Sequence, residues 1–480
     1  MANGNNHPQE NREQDHVIRE IYSSLRRQFK GDLLRPSDAG YEEARTVWNG
    51  MVARRPGLIA RCADVCDVQT AIRIAAHIRI VTAVRCGGHS LAGFSTCHGG
   101  LVIDLSRMRE VTVDPEARRA RVAGGCLLGS IDSATQKAGL IFPSGVVSHT
   151  GASGLILGGG TGWLTRRFGL SCDNVEGFTL VTADGSIVHA DARKNEDLFW
   201  ALRGGGGNFG VVTEFELKLH PLTTVVLAEG LTPEGQIRQL LEYWRDFMPH
   251  APFDLKWNLD LRLAPQTENI PPQLRGRPVA VSSLIWTGSP EDALPYLVQV
   301  CSLCHPDSLR SRTLSFLELQ TMADSAFPHG RRYYTKSGYF KDLEDVAIKR
   351  FLDALTTIPS TETQIELTYL GGAAGQVTAD ETAFGDRSAS FITNLLANWS
   401  DPSADPEHIS WIRSLFQKLR PTMAPGVYVN FMSGDEQDRV PEAYRARWGR
   451  MVAIKSHYDP DNFFCLNQNI RPQGQDLKHT

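Results

Sequence analysis

Apolar and polar positions along the chain follow two rhythms, and the switches between them mark out its elements. Leu58–Arg61 reads as a short strand, and Asp64 stands where it can cap a helix whose apolar positions Val68, Ala71, Ile72 and Ala75 follow the i, i+3, i+4, i+7 spacing. A strand over 81–85 runs into Cys86-Gly87-Gly88-His89, where paired glycines permit a tight turn and a close backbone approach. Strand-like runs follow at 101–105, 111–113 and 120–122. Next comes a helix with Leu127, Ile131, Ala134 and Ala138 on one face and Gly139 as its stop. Runs at 178–182 and 187–190 flank Asp184-Gly185, a two-residue hairpin signal, and Thr213, Phe215, Leu217 and Leu219 alternate with polar partners in a later strand. This half is α+β.

Near Pro221 the character changes. From there to about residue 434 glycine clusters thin out, while amphipathic helices and aromatic-rich strands such as RRYYTKSGYF appear. A domain boundary is placed here, and the polar tail after Pro472 is expected to be disordered.

At 480 residues the chain exceeds one ordinary core, and two or three domains are expected. A net charge of -4 gives no electrostatic reason to expect nucleic acid, so a small-molecule partner is favoured. The first sixteen residues, MANGNNHPQENREQDH, lack an apolar run, and no stretch approaches a membrane span. A soluble, cytoplasmic protein without a membrane partner is expected, and the odd, scattered set of nine cysteines suits reduced thiols there. Cys301-Ser302-Leu303-Cys304-His305 spells the CxxCH of c-type haem attachment. That attachment needs export, and a zinc site would need a second ligand pair, so the segment is read as the end of a helix beginning near Pro290 and no metal is assigned.

Gly205-Gly206-Gly207-Asn208-Phe209-Gly210 matches GxGxxG, but a dinucleotide-binding unit needs a strand before it and a helix after it. Here the helical NEDLFWALR precedes and the strand VVTEFELKL follows. The glycine-dense stretch 151–162 also fails that spacing, yet bare backbone N–H groups there can cradle an anion or let a flat ring approach.

Three glycine-rich segments, VRCGGHS, GVVSHTGASGLILGGGTGWL and DLFWALRGGGGNFGVVTEF, together with the terminal YDPDNFFCLNQNIRP, resemble in order and spacing the berberine bridge enzyme-like branch of FAD-linked oxidases, of the vanillyl-alcohol oxidase type. The likeness is strongest over 40–222 and 445–472 and weak between. It implies a PCMH-type FAD-binding domain in two parts, 1–222 and 435–480, with an inserted α+β substrate domain over 223–434 whose antiparallel sheet is covered by helices. It also implies that Arg85, Cys86, Gly87, Gly88, His89 and Ser90, with Ser148, His149, Gly151, Ala152, Gly154, Gly158, Gly159 and Gly162, wrap the cofactor, joined by Asn174, Val212 and Asn467. His89 matches the histidine that bonds the flavin 8α-methyl carbon; a lone histidine in such a turn is otherwise merely structural. Val147 stands where many relatives carry a second, cysteinyl link, so none is expected. Ala152 matches a position controlling oxygen access, and its small side chain points to reoxidation by O2 with hydrogen peroxide as product.

Hydride transfer to a flavin needs a base for the substrate's hydroxyl or amine proton. Tyr428 in VYVNFM matches a family tyrosine over the ring, and Asn430 is expected on the same face two residues along an extended strand. Glu366 in IELTYLGG points to one strand face with Thr368, in a neighbourhood where relatives place catalytic groups. Tyr334, Tyr339 and Tyr369 receive no firm role. The expectation is therefore an oxidase acting on an alkaloid, amine, alcohol or other secondary metabolite. A covalent flavoprotein dehydrogenase, an oxidative cyclase, or a flavin-binding protein without turnover are the competing readings.

Overall fold

The computed structural model describes residues 8–378, 380–385 and 387–475, so the expected disorder of the tail falls, from residue 476 on, outside the described residues. A four-stranded sheet opens the fold in the order Asp32–Leu34, Leu58–Arg61, Leu101–Asp104, Thr82–Arg85, the last three strands parallel. The helix Val65–Ile78 makes the crossover between two of them, and the Asp64 carboxylate accepts from the Cys66 and Asp67 amides as its cap. The loop 86–90 thus leaves the carboxyl end of a parallel strand, where α/β sheets expose backbone to ligands.

The polar lead holds a helix, Pro8–Leu25, that its overall polarity conceals. Ile18, Ile21 and Leu25 form a narrow stripe that is buried with Val68, Ala71 and Ile72.

A second, antiparallel sheet runs Val111–Asp114, Arg119–Ala123, Val211–Lys218, Val175–Val181, Ile187–Asp191. Strand Ile187–Asp191 pairs with Val175–Val181 across the Asp184-Gly185 turn, Gly185 taking φ +78°. Between Arg119–Ala123 and Val175–Val181 lie the helices Leu128–Gln136 and Ala152–Leu157. The stretch 205–210 sits between the helix Glu196–Leu202 and the strand Val211–Lys218, the reverse of the dinucleotide-binding order.

The third sheet has seven antiparallel strands in the order Arg310–Ser315, Thr224–Pro233, Pro278–Trp286, Leu255–Leu263, Gln364–Tyr369, Phe391–Trp399, Arg332–Phe340. Its alternation is what builds the site. Leu255, Trp257, Leu259, Leu261, Ile365 and Leu367 bury one face beneath the helices Ile237–Phe247, Asp345–Leu355 and Asp405–Leu419, through Trp244, Phe351, Ile412 and Leu415. The other face carries Lys256, Asn258, Asp260, Arg262, Gln364, Glu366 and Thr368, and these line a cavity rather than the outer surface. Cys301-Ser-Leu-Cys304-His305 lies at and just beyond the end of the helix Pro290–Cys301.

From Val427 onward the chain packs into the core of the second sheet, where Val427, Val429, Met451, Ile454 and Ile470 join Phe178, Phe209 and Phe215. The helix Trp448–Tyr458 fixes this return. The fully buried Lys455 ammonium pairs with Asp459 at 2.6 Å and donates to the carbonyls of Asn208 and Phe464. Asp459 also accepts from the Phe463 and Phe464 amides. Substituting Lys455→Met leaves Asp459 buried without its counter-charge, and urea unfolding should show a loss of about 3–5 kcal/mol.

Candidate functional site

Two loops meet backbone to backbone at the floor of the site. A Cβ on Gly87 would stand 2.3 Å from the Gly151 nitrogen, and one on Gly151 would stand 2.3 Å from the Gly87 nitrogen. Neither position admits a side chain, and that mutual contact sets where the next residues go. Two residues beyond Gly87, His89 enters a cavity of about 630 Å³ with Cys86, Gly88 and Ser90. Its ring stacks on Trp48 at 4.9 Å between centroids, and Trp48 stacks in turn on Tyr333 at 3.6 Å. His89 Nε2 meets His149 Nδ1 at 2.8 Å, and His329 stands edge-on at 5.4 Å. These three histidines bring ring nitrogens within 4.8 Å of one another. Burial first, then the two neighbouring imidazoles, holds the His89 pKa well below the usual histidine range. The ring is neutral at physiological pH and keeps a lone pair for bonding.

The cavity is walled on one side by Gly151, Gly154, Leu155 and Gly162, with Gly207, Val212 and Asn467 beside them. Val147 also lines it. The opposite wall is the polar sheet face. Tyr428 and Asn430 stand between the two. The expected extended strand is absent there: Tyr428 precedes a single 3-10 turn, Val429–Phe431. The turn brings the two side chains together, with Asn430 Nδ2 donating to the Tyr428 hydroxyl at 2.9 Å and to the Leu155 carbonyl at 3.0 Å. Gly158 makes room for that amide, because a Cβ there would stand 2.0 Å from Asn430 Oδ1. The Tyr428 hydroxyl accepts also from the Gly160 and Thr161 amides, at 2.9 and 3.3 Å. Burial raises its pKa against these donors, so it is a neutral phenol whose remaining capacity is to donate its own proton.

Glu366 faces the cavity with both oxygens engaged, Oε1 by Gln364 Nε2 and Oε2 by Asn394 Nδ2, each at 2.8 Å. Burial raises its pKa against these donors and against Lys256. Lys256 itself donates to the Gly162 carbonyl at 2.6 Å, and burial, then the nearby Arg166 guanidinium, pulls it down to about 7.

Several residues singled out from the sequence are held outside the cavity lining, each for a local reason. Arg85 pairs with Asp104 and donates to the Ala44 carbonyl, which fixes the strand ahead of the loop. Ser148 is clamped by Asp324 through its amide at 2.8 Å and its hydroxyl at 2.6 Å. Asn174 is spent on the Phe168 and Leu170 carbonyls and on His220. Ala152, Gly158 and Gly159 lie behind the loop, Ala152 packed in the core of the second sheet. His149 acts on His89 rather than on the cavity. Sequence reading passed over Trp48, His329, Lys256, Asp260, Arg262 and Asn394. The polar half of LKWNLDLRL looks like an ordinary solvent face, and no local signal marks it as a cavity wall.

The glycine wall of the cavity leaves room for a bound group. Gly154 and Gly207 both line it, and a Cβ built on either meets nothing within 4 Å. Their lack of side chains is not explained by neighbouring protein atoms, which is what room for a ligand looks like. Asn467 adds a buried side-chain oxygen without a hydrogen-bond partner in the same wall.

The profile of an FAD binding domain matches residues 56–191, and that of the berberine and berberine-like family matches residues 427–471. An FAD-linked oxidoreductase of Dictyostelium discoideum is 30% identical over 459 residues, covering 95% of this chain and 97% of the relative. The (R)-6-hydroxynicotine oxidase of Paenarthrobacter nicotinovorans is 30% identical over 462 residues, covering 93% and 98%. The crystal structure of 6-hydroxy-D-nicotine oxidase from Arthrobacter nicotinovorans superposes with a TM-score of 0.83 at 26% identity, over 93% of this chain and 99% of that one.

Gly154 separates folding from cofactor binding. A Cβ at Gly154 meets no protein atom within 4 Å and projects from the cavity lining, so the thermal midpoint of flavin-free Gly154→Ala should equal or exceed that of the flavin-free wild type, helix propensity favouring the substitution. The purified variant should carry little or no flavin absorbance.

Proposed function

The chain belongs to the berberine bridge enzyme-like FAD-linked oxidoreductases, and from that premise we propose that it is an oxidase carrying FAD bonded to His89 through the flavin 8α-methyl carbon and taking a hydride from a small organic substrate. The observation that carries this reading is a neutral, half-buried imidazole in the same cavity as the open glycine wall and the carboxyl of Glu366. FAD supplies the two-electron acceptor. The protein's own residues position, hold and move protons. Stacking on Trp48 and the His149 contact orient the His89 ring for attachment, and Val147 gives no thiol for a second link. The substrate is held against the polar sheet face, where Glu366 takes its hydroxyl or amine proton as the hydride departs. Tyr428, fixed by three N–H donors, offers its O–H as a donor to cofactor or substrate.

An amine or alcohol substrate suits a pocket that presents carboxyls, amides and hydroxyls together. Oxygen as the electron acceptor, giving hydrogen peroxide, follows the oxidase relatives; a dehydrogenase or an oxidative cyclase would use the same residues, and Ala152, buried behind the loop, favours none of them. A cytoplasmic setting accords with the free cysteines among the described residues, and no helix there is long and apolar enough to cross a membrane.

Anaerobic mixing of the loaded protein with a panel of secondary amines and alcohols that includes (R)-6-hydroxynicotine should bleach the flavin with at least one of them. Admitted oxygen should then restore the colour with one peroxide per turnover. Failure of every compound to reduce a photoreducible flavin would favour a binding protein instead. With the active compound, Glu366→Gln should slow flavin reduction by about 10²-fold or more.

The sign of the pH dependence follows from Glu366. A base works only when ionised, and burial raises its pKa, so kcat/KM should fall on acidification from a pH above the ordinary carboxylate range. A rate unchanged down to the pKa of a free glutamate would contradict the assignment.

A further inference from the structure

Glu366 does not face the cavity as an isolated carboxyl. In the sheet register Asp260, on Leu255–Leu263, stands directly opposite Glu366, on Gln364–Tyr369, and both side chains project from the cavity face. Each Glu366 oxygen accepts from a side-chain amide, of Gln364 and Asn394, while no such amide donor reaches Asp260 among the described residues. We propose that the base of this site is the Asp260–Glu366 pair, holding a single proton between the two carboxyls in the resting protein.

The inference rests on the reading of Glu366 as the proton acceptor and adds a residue to it. Two carboxylates abreast in a half-buried site repel, and retaining one proton removes most of that repulsion. The surrounding charges are few. Lys256 and Arg262 project from the same strand as Asp260, Glu229 lines the cavity from Thr224–Pro233, and Arg166 lies beside Lys256. Asn394, from the strand on the far side of Glu366, is neutral, and His89 and Tyr428, which line the same cavity, are neutral as well. Burial and the mutual repulsion push the pair's second ionisation up, and the Arg262 guanidinium acting on Asp260, with Lys256 acting on Glu366, offsets only part of that. In turnover one substrate O–H or N–H bond breaks and its proton joins the ionised carboxyl, taking the pair from one proton to two. The electron pair of the broken C–H bond leaves as hydride to FAD, the oxidant of the functional reading. The proton is returned to solvent once product has left.

Infrared difference spectra of the resting, FAD-loaded protein, recorded across a pH titration without substrate, test the pair directly. Wild type should lose one protonated-carboxyl band near neutral pH. In Asp260→Asn that step should move down by about one pH unit or more, in Glu366→Gln it should vanish or move likewise, and in Asp260→Glu it should persist. Asp132 and Glu229, also pushed up by burial, titrate alike in all four proteins and cancel between them. Asp260→Ser serves in place of Asp260→Asn if the latter folds poorly. A neutral step unmoved by loss of Asp260, or absent from wild type, overturns the proposal. Because these spectra need no turnover, a failed pair is distinguishable from a failed base: in the second case Glu366→Gln keeps its rate whatever the spectra show.

Discussion

The site depends on one contact between two backbones. Gly87 and Gly151 approach so closely that neither can carry a side chain, and this fixes the loop that presents His89 against the loop that forms the glycine wall. His89 reaches the cavity because of that approach. Trp48 and His149 then hold its ring, and burial keeps it neutral. On the far side of the loop, Arg85 pinned to Asp104 and Ser148 pinned to Asp324 hold the two segments in place. These polar side chains serve the geometry of the site from outside its lining.

The opposite wall has a different origin. A seven-stranded antiparallel sheet covered by helices on one face would ordinarily show water its other face, and the residues there have the composition of such a surface. Because that face closes over the glycine loops, its charged side chains become cavity groups. Burial then moves Lys256 down and Glu366 up, toward the range where proton transfer works at neutral pH. The chemistry of this wall is thus a product of the packing of two bodies, each unremarkable when taken alone.

That division explains what could be read from the sequence. The glycine spacing, the helix–loop–strand order around 205–210 and the period-two runs of the first half are local signals, and they led to the α+β class and to the loops around His89. Glu366 was legible because its strand alternates cleanly. Asp260 was not, because register across strands more than a hundred residues apart is not a local property. The helix Pro8–Leu25 was hidden by its polarity, and the turn at Tyr428 by a run of apolar residues that reads equally well as a strand. Arg85 enters the expected cofactor set with its segment and Asn174 through the resemblance, whereas in the structure both side chains are engaged by protein groups.

The most direct test of the central claim is the mass of the acid-denatured protein, followed by sequencing of the yellow peptide. Wild type should retain one FAD, and the modified residue should be His89, with His89→Ala folding yet releasing all its flavin in acid. Complete release of flavin from denatured wild type, or attachment at any other residue, would contradict the role assigned to His89 and to the two loops that present it.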